Sequence, residues 1–94
     1  MENKIKAKIV SIEKGLQQFD GIEMIRVVSD EHNLLILQNY MPLLGRLNGY
    51  VDLIFQDKTL RFSDLQGYYM HKKNEFSLLV QTGDTTPSFA LEEE

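Results

Sequence analysis

Residues 34–47 read Leu34-Leu35-Ile36-Leu37-Gln38-Asn39-Tyr40-Met41-Pro42-Leu43-Leu44-Gly45-Arg46-Leu47, and the fold class turns on whether this stretch is helix or strand. Leu34, Leu35, Leu37, Met41 and Leu44 can be joined into an apolar stripe at helical spacing. Pro42 counts against a helix, because its ring clashes with the preceding turn and it supplies no N–H. The pieces on either side of it are too short to stand as helices. The stretch therefore predicts a wholly apolar strand at Leu34–Leu37 buried on both faces, a tight bend at Gln38–Pro42, and a short strand at Leu43–Leu47. A long helix over 32–47 would overturn that reading.

Upstream the pattern is period two. Ile5, Ala7 and Ile9 alternate with Lys4, Lys6 and Lys8, as on a half-buried strand with a wet lysine face. Gly15 interrupts, Asp20-Gly21 is a turn signal, and Ile22–Val28 is rich in β-branched residues. Ser29–Asn33 is a polar loop. Downstream, Asn48-Gly49 is a strong turn signal. Val51, Leu53 and Phe55 then alternate with polar residues, Gln56–Thr59 closes a hairpin, and Leu60 and Phe62 continue it. Gly67 precedes Tyr68–His71, Lys72–Asn74 turns the chain, and Phe76, Leu78 and Val80 alternate again. Adjacent strand residues point to opposite faces, so one of Tyr68 and Tyr69 belongs in the core and the other outside. The sum is an all-β chain, a two-sheet β-sandwich of roughly eight to ten short strands with turns every ~8–12 residues. The expected boundaries are a domain at 1–82 and a flexible C-terminal tail at 83–94, where Gly83, Pro87 and an acidic end spoil both periodicities.

The 94 residues suffice for one domain, and an apolar share of 43% with 26% charged residues is ordinary for a globular protein. A net charge of −4 argues against a nucleic-acid partner, which takes a basic face to displace counterions. There is no cysteine, hence no disulfide and no thiol chemistry. No basic leader with an apolar core stands at the start, and no apolar run approaches the ~20 residues of a membrane span.

Chemistry is sparse. His32 and His71 lack any HxH or HxxxH spacing and read as surface residues. Ser11, Ser29, Ser63 and Ser77 stand in no nucleophile motif, and no phosphate-binding glycine loop is present. Asp20, Glu23, Asp30, Glu31 and Asp52 fall in turns or on outer strand faces and read as solvated. No catalytic residue, cofactor site or metal site is expected. The residues alone point to an interaction module rather than an enzyme, with no small-molecule substrate; a stand-alone ligand- or carbohydrate-binding sandwich using Tyr68 or Tyr69 is the alternative.

The order of motifs from Lys6 to Val80 resembles the N-terminal β-sandwich domain of the epsilon subunit of F-type ATP synthases. Ala7-Lys8-Ile9-Val10-Ser11-Ile12-Glu13 is similar to that family's first strand, and Phe19-Asp20-Gly21-Ile22-Glu23-Met24-Ile25-Arg26-Val27 to its second. His32 to Leu47 follows the family's G-x-L-G-I-L-x-x-H-A-P-L-L-x-x-L. Asn48 to Leu53, Phe62 to His71 and Asn74 to Leu79 match the later segments in order. The departures are His32 and Leu35 at two glycine positions, Tyr40-Met41-Pro42 for His-Ala-Pro, and Gln66-Gly67 for Gly-Gly. Larger residues in place of glycine imply changed loop conformations.

The resemblance implies a non-catalytic central-stalk subunit that couples the gamma subunit to the c-ring in proton-driven rotary ATP synthesis. Residues 82–94 are too few for the family's inhibitory C-terminal helical hairpin, so that hairpin is expected to be absent. The implied location is peripheral, at the cytoplasmic face of a bacterial cell membrane, with the membrane reached only through partners. By position, Ser11 and Tyr40 would face gamma, while Asp30, Glu31, His32 and Asn33 would face the c-ring. Tyr40 packing in its own loop, and 30–33 being a plain solvated loop, remain the competing readings.

Overall fold

Period-two alternation becomes strand wherever it occurs. A computed structural model describes residues 4–30 and 32–89. The strands are β1 (Ile5–Ser11), β2 (Gly15–Ser29), β3 (Asn33–Ile36), β4 (Leu43–Phe55), β5 (Thr59–Lys72), β6 (Glu75–Thr82) and β7 (Ser88–Phe89). No helix occurs among the described residues, and 38–39 form a turn between β3 and β4. The strand–bend–strand reading of the opening stretch therefore holds.

The order β1-β6-β5-β4-β2 closes on itself because β1 also pairs with β2. The β1–β6 pair is parallel and the other pairs are antiparallel, with β3 added beside β2 and β7 beside β5. The all-β class is as expected, but the two separate sheets are joined into a closed five-strand barrel. The physical cause lies in β2, β4 and β5, which are long enough to bend and change neighbours. β2 pairs with β1 over its first part and with β4 from Ile22 onward. β4 pairs with β5 along most of its length and with β2 only from Gly49. Register shifts sit at each bend, near Ile22, Gly49 and Gly67, and such bulges are how strands turn corners.

Two sequence signals are corrected by this. Asp20-Gly21 and Asn48-Gly49 are bends inside β2 and β4 rather than hairpin turns. At Gly49 and Gly67 the reason is close backbone approach: a Cβ would lie 2.1 Å from the Val28 carbonyl oxygen and 2.0 Å from that of Leu79. The predicted turns at 56–58 and 72–74 do form. Lys73 and Asn74 adopt φ of 53° and 59°, the left-handed pair that a two-residue hairpin matching strand twist demands.

The core is filled from alternate positions: Ile5, Ala7 and Ile9 of β1, Phe62 and Leu65 of β5, Phe76, Leu78 and Val80 of β6, with Ile25, Val27, Val51 and Leu53 opposite. Phe19 meets Phe62 edge-on at 5.8 Å, and Tyr69 stacks on Phe76 at 6.0 Å. Each fully buried aliphatic or aromatic side chain contributes about 1.5–3 kcal/mol.

Three further expectations are revised. β3 is not buried on both faces; it pairs only with β2, and of its residues Ile36 alone is buried. Asp52 is not solvated but buried, gripped by Arg61 through two bonds of 2.7 and 2.9 Å. His71 is fully buried rather than on the surface, because it shares the inward parity of Leu65, Gly67 and Tyr69.

The packed chain also runs past the expected boundary at 82. Thr85 is 1% exposed; its hydroxyl meets Ser11 Oγ at 3.1 Å, and Gln17 Nε2 donates to both its hydroxyl and its carbonyl. β7 then pairs with Leu60 and Arg61. The segment to Phe89 is thus anchored to the barrel, and residues 90–94 lie outside the described residues.

Candidate interaction surfaces

Strand parity that fills the core also fixes what faces outward, and on one side of the barrel the outward residues are apolar. Register places Arg46, Tyr68, Leu79, Val10 and Leu16 in one row across β4, β5, β6, β1 and β2. Tyr68 is 45% exposed, Leu79 53%, Val10 38% and Leu16 55%. The adjacent row runs Leu44, Met70, Ser77, Lys8 and Gln18, with Leu44 and Met70 also exposed. Ile12, at the β1–β2 turn, is exposed too. A contiguous apolar band of this kind on a folded domain marks a contact surface. No lone residue in the sequence signalled it; the band exists only once register aligns four strands.

A second surface is the polar loop after β2. Ser29 N donates to the His32 carbonyl, closing the loop. Asp30 N donates to the Asn48 carbonyl, Asn48 N to Ser29 Oγ, and Asn48 Nδ2 to Asp30 Oδ2 at 3.1 Å. His32 Nε2 forms a 3.1 Å hydrogen bond with Tyr69 Oη. Tyr69 is an inward residue whose hydroxyl reaches this loop because Gly45 leaves room: a Cβ there would lie 2.6 Å from the ring. Burial pushes the Tyr69 phenol above its ordinary value. The loop is therefore held from β4 and from the core.

The residues singled out from sequence fall as follows. Asp30 and His32 are exposed on this loop and Asn33 is exposed at the start of β3 beside it; Glu31 lies outside the described residues. Tyr40 is half-buried against the core, flanked by exposed Leu37 and Met41. Ser11 is buried, and its hydroxyl is occupied by Thr85 and by Lys14 N. The structure does not gather Ser11 and Tyr40 into one contact. Ile12 and Leu79, which the sequence reading missed, offer far more surface.

Tyr69 is inside and Tyr68 outside, as alternation requires. Tyr68 borders a depression of about 140 Å³ with Arg46, Asn48, Gln66 and Gln81, below the ~300–1,000 Å³ typical of ligand sites. A larger open depression, about 440 Å³, lies at the β4–β5 hairpin between Phe55, Lys58 and Phe89. Among the described residues no three His, Asp or Glu side chains gather at metal-binding distance. No helix of the described residues is long and apolar enough to cross a membrane.

No protein-family model matches the sequence, and no curated protein does. Among solved structures, the fold is similar to a chain of the mitochondrial ATP synthase central stalk and c-ring of Tetrahymena thermophila. The TM-score is 0.66 at 20% identity, over 86% of this chain and 66% of that one. Likeness at that identity establishes a shared fold alone, over about two thirds of that chain's length.

Proposed function

We propose that this chain is a non-catalytic central-stalk subunit of a rotary ATP synthase, the counterpart of the bacterial epsilon subunit. In this reading it sits between gamma and the c-ring during proton-driven rotation and is peripheral to the cytoplasmic face of a bacterial membrane. The observation that carries the proposal is the pairing of two different surfaces on one closed barrel. The apolar band of Tyr68, Leu79, Val10 and Leu16 suits a permanent protein neighbour. The pinned loop of Asp30, His32 and Asn33 suits polar loops of a second. A barrel whose interior is packed at crystal-like density can relay load between them. The Tyr40 loop and the turn beside Ser11 would complete the gamma contact.

Co-purification of the tagged chain with gamma and c subunits from its host tests this. Recovery of both, lost for gamma in Leu79→Glu and for the c-ring in a combined Asp30→Lys, Asn33→Lys variant, is expected. Recovery of neither by the folded wild type would sink the proposal.

A further inference from the structure

Among the described residues, His71 is the one whose buried side-chain nitrogens have no hydrogen-bond partner; both Nδ1 and Nε2 are orphaned. A buried polar group left unmet is destabilising, because it has given up its hydrogen bonds to water and gained none in return. Leu43 of β4 and Phe76 of β6 lie directly across from it, with the Phe76 ring at 6.4 Å. The charged groups around it point away: Lys72 and Lys73 on its own side of the hairpin, Glu75 on β6 and Lys6 on β1 are all exposed. The titratable side chains on the inward side are the phenols of Tyr69, engaged by His32, and Tyr40, packed on the same core. Burial accordingly holds the imidazole below its ordinary pKa of 6.5.

What covers the ring is an edge. Leu43–Leu47 pairs with β5 alone, since the Ser29–Asp30 turn reaches only Asn48 and β2 joins β4 only from Gly49. On its outer side Pro42, Leu43, Leu44, Met70 and Lys72, with His71 itself, line an open depression of about 300 Å³. We propose that His71 is a proton-operated latch, whose protonation frees Leu43–Leu47 and the adjoining 37–42 loop from β5 while the rest of the barrel stays closed. An imidazolium has two N–H donors and a charge that the apolar site cannot satisfy, so it must reach water. Lifting this segment breaks ladder bonds to one neighbour, together with the two hydrogen bonds between Asn39 of the adjoining loop and Asn74, whereas opening β1 or β6 breaks ladders on both sides. The released stretch carries Tyr40, Met41, Leu44 and Arg46, so acid would reshape one exposed apolar patch and leave Tyr68, Leu79, Val10 and Leu16 in place.

Native-state hydrogen exchange of the full chain at pH 7.5 and 5.5, corrected for intrinsic rates, tests the latch. The amides of Leu44–Leu47 should exchange through an opening easier than global unfolding. Their protection should drop by about tenfold between the two pH values, the factor for a group that titrates near 6.5 only when open. In His71→Phe that drop should vanish, whereas His32→Asn should retain it. If the phenylalanine variant fails to fold, the His71 ring signals of the folded wild type, followed by NMR, should stay those of a neutral imidazole from pH 7.5 to 5.5 while exchange at Leu44–Leu47 rises. Exchange of Leu44–Leu47 only through global unfolding would overturn the proposal. So would a pH dependence that survives in His71→Phe, or a ring that titrates with no change in exchange.

Discussion

Asn39 and Asn74, at opposite ends of the sequence between β3 and β6, lock two left-handed turns together. Asn74 Oδ1 accepts the Asn39 backbone N–H at 2.6 Å, and Asn74 Nδ2 donates to Asn39 Oδ1 at 3.1 Å. Both residues have positive φ, 62° and 59°, which asparagine tolerates better than most residues. Asn74→Ala removes the bonds and strains the turn, and is expected to cost about 1–2 kcal/mol. Asn74→Gly loses the bonds but not the conformation and should cost less. Urea denaturation of the two variants gives the ranking.

The Asp52–Arg61 pair is asymmetric, and so are its two deletions. The Asp52 side chain is 6% exposed and that of Arg61 37%. The Arg61 guanidinium also lies 4.1 Å over the Tyr50 ring, and its hydrogen bonds to Asp52 raise its already high pKa. Arg61→Ala strands a buried carboxylate and should cost about 2–3 kcal/mol, whereas Asp52→Asn leaves a cation that water can reach and should cost about half that. Equal losses in chemical denaturation would mean Asp52 is hydrated.

Gly67→Ala should be the most damaging small substitution in the barrel. Its added methyl would sit against the Leu79 carbonyl oxygen, within the β5–β6 ladder itself. Backbone must move, at a cost of about 3 kcal/mol or more. Gly15→Ala, with φ of 67° but open space around it, should cost only about 1–2 kcal/mol. Thermal melts of both variants compare them directly.

Stability should depend on pH through His71. Its folded pKa lies below 6.5, so the unfolded chain binds the proton more readily. The contribution is therefore complete above pH ~6.5 and falls as pH drops below that, by up to about 1.4 kcal/mol per unit, until the folded pKa is reached. The difference between wild type and His71→Phe, measured by denaturation from pH 8 to 5, removes the carboxylate background common to both. A difference that stays constant across that range would mean the ring is not held neutral.

Alternation made most of the strands legible: Ile5, Ala7, Ile9 and Phe76, Leu78, Val80 are where period two puts them. The failures have a common origin. A corner within a long strand and a turn between two short ones call for the same residues, so Asn48-Gly49 signalled a hairpin where closure of the barrel needed a bend. At Asp64, φ of 57° breaks the β5 alternation between Phe62 and Leu65. Parity counted from Phe62 would place His71 outside; counted from Leu65 it is inside. Asp52 is buried by a residue on another strand, and Thr85 by Ser11 and Gln17 on the far side of the sequence, neither of which local pattern can report. The exposure of Asp30, His32 and Asn33 accords with their polar surroundings in sequence; the apolar band was not foreseen, because it is a property of register.

The bends in β2, β4 and β5 have a mechanical meaning. Ordinary stacked layers are held by side-chain contact and can slip past each other when sheared. Here three continuous stretches of peptide chain pass from one half to the other, so relative sliding would have to stretch covalent backbone or unzip ladders at both ends of the same strand. A push applied near Leu79 on β6 can therefore pass through the β5 ladder, along β5 and into β4, arriving beside Asn48 and the loop it anchors without crossing a boundary that can yield.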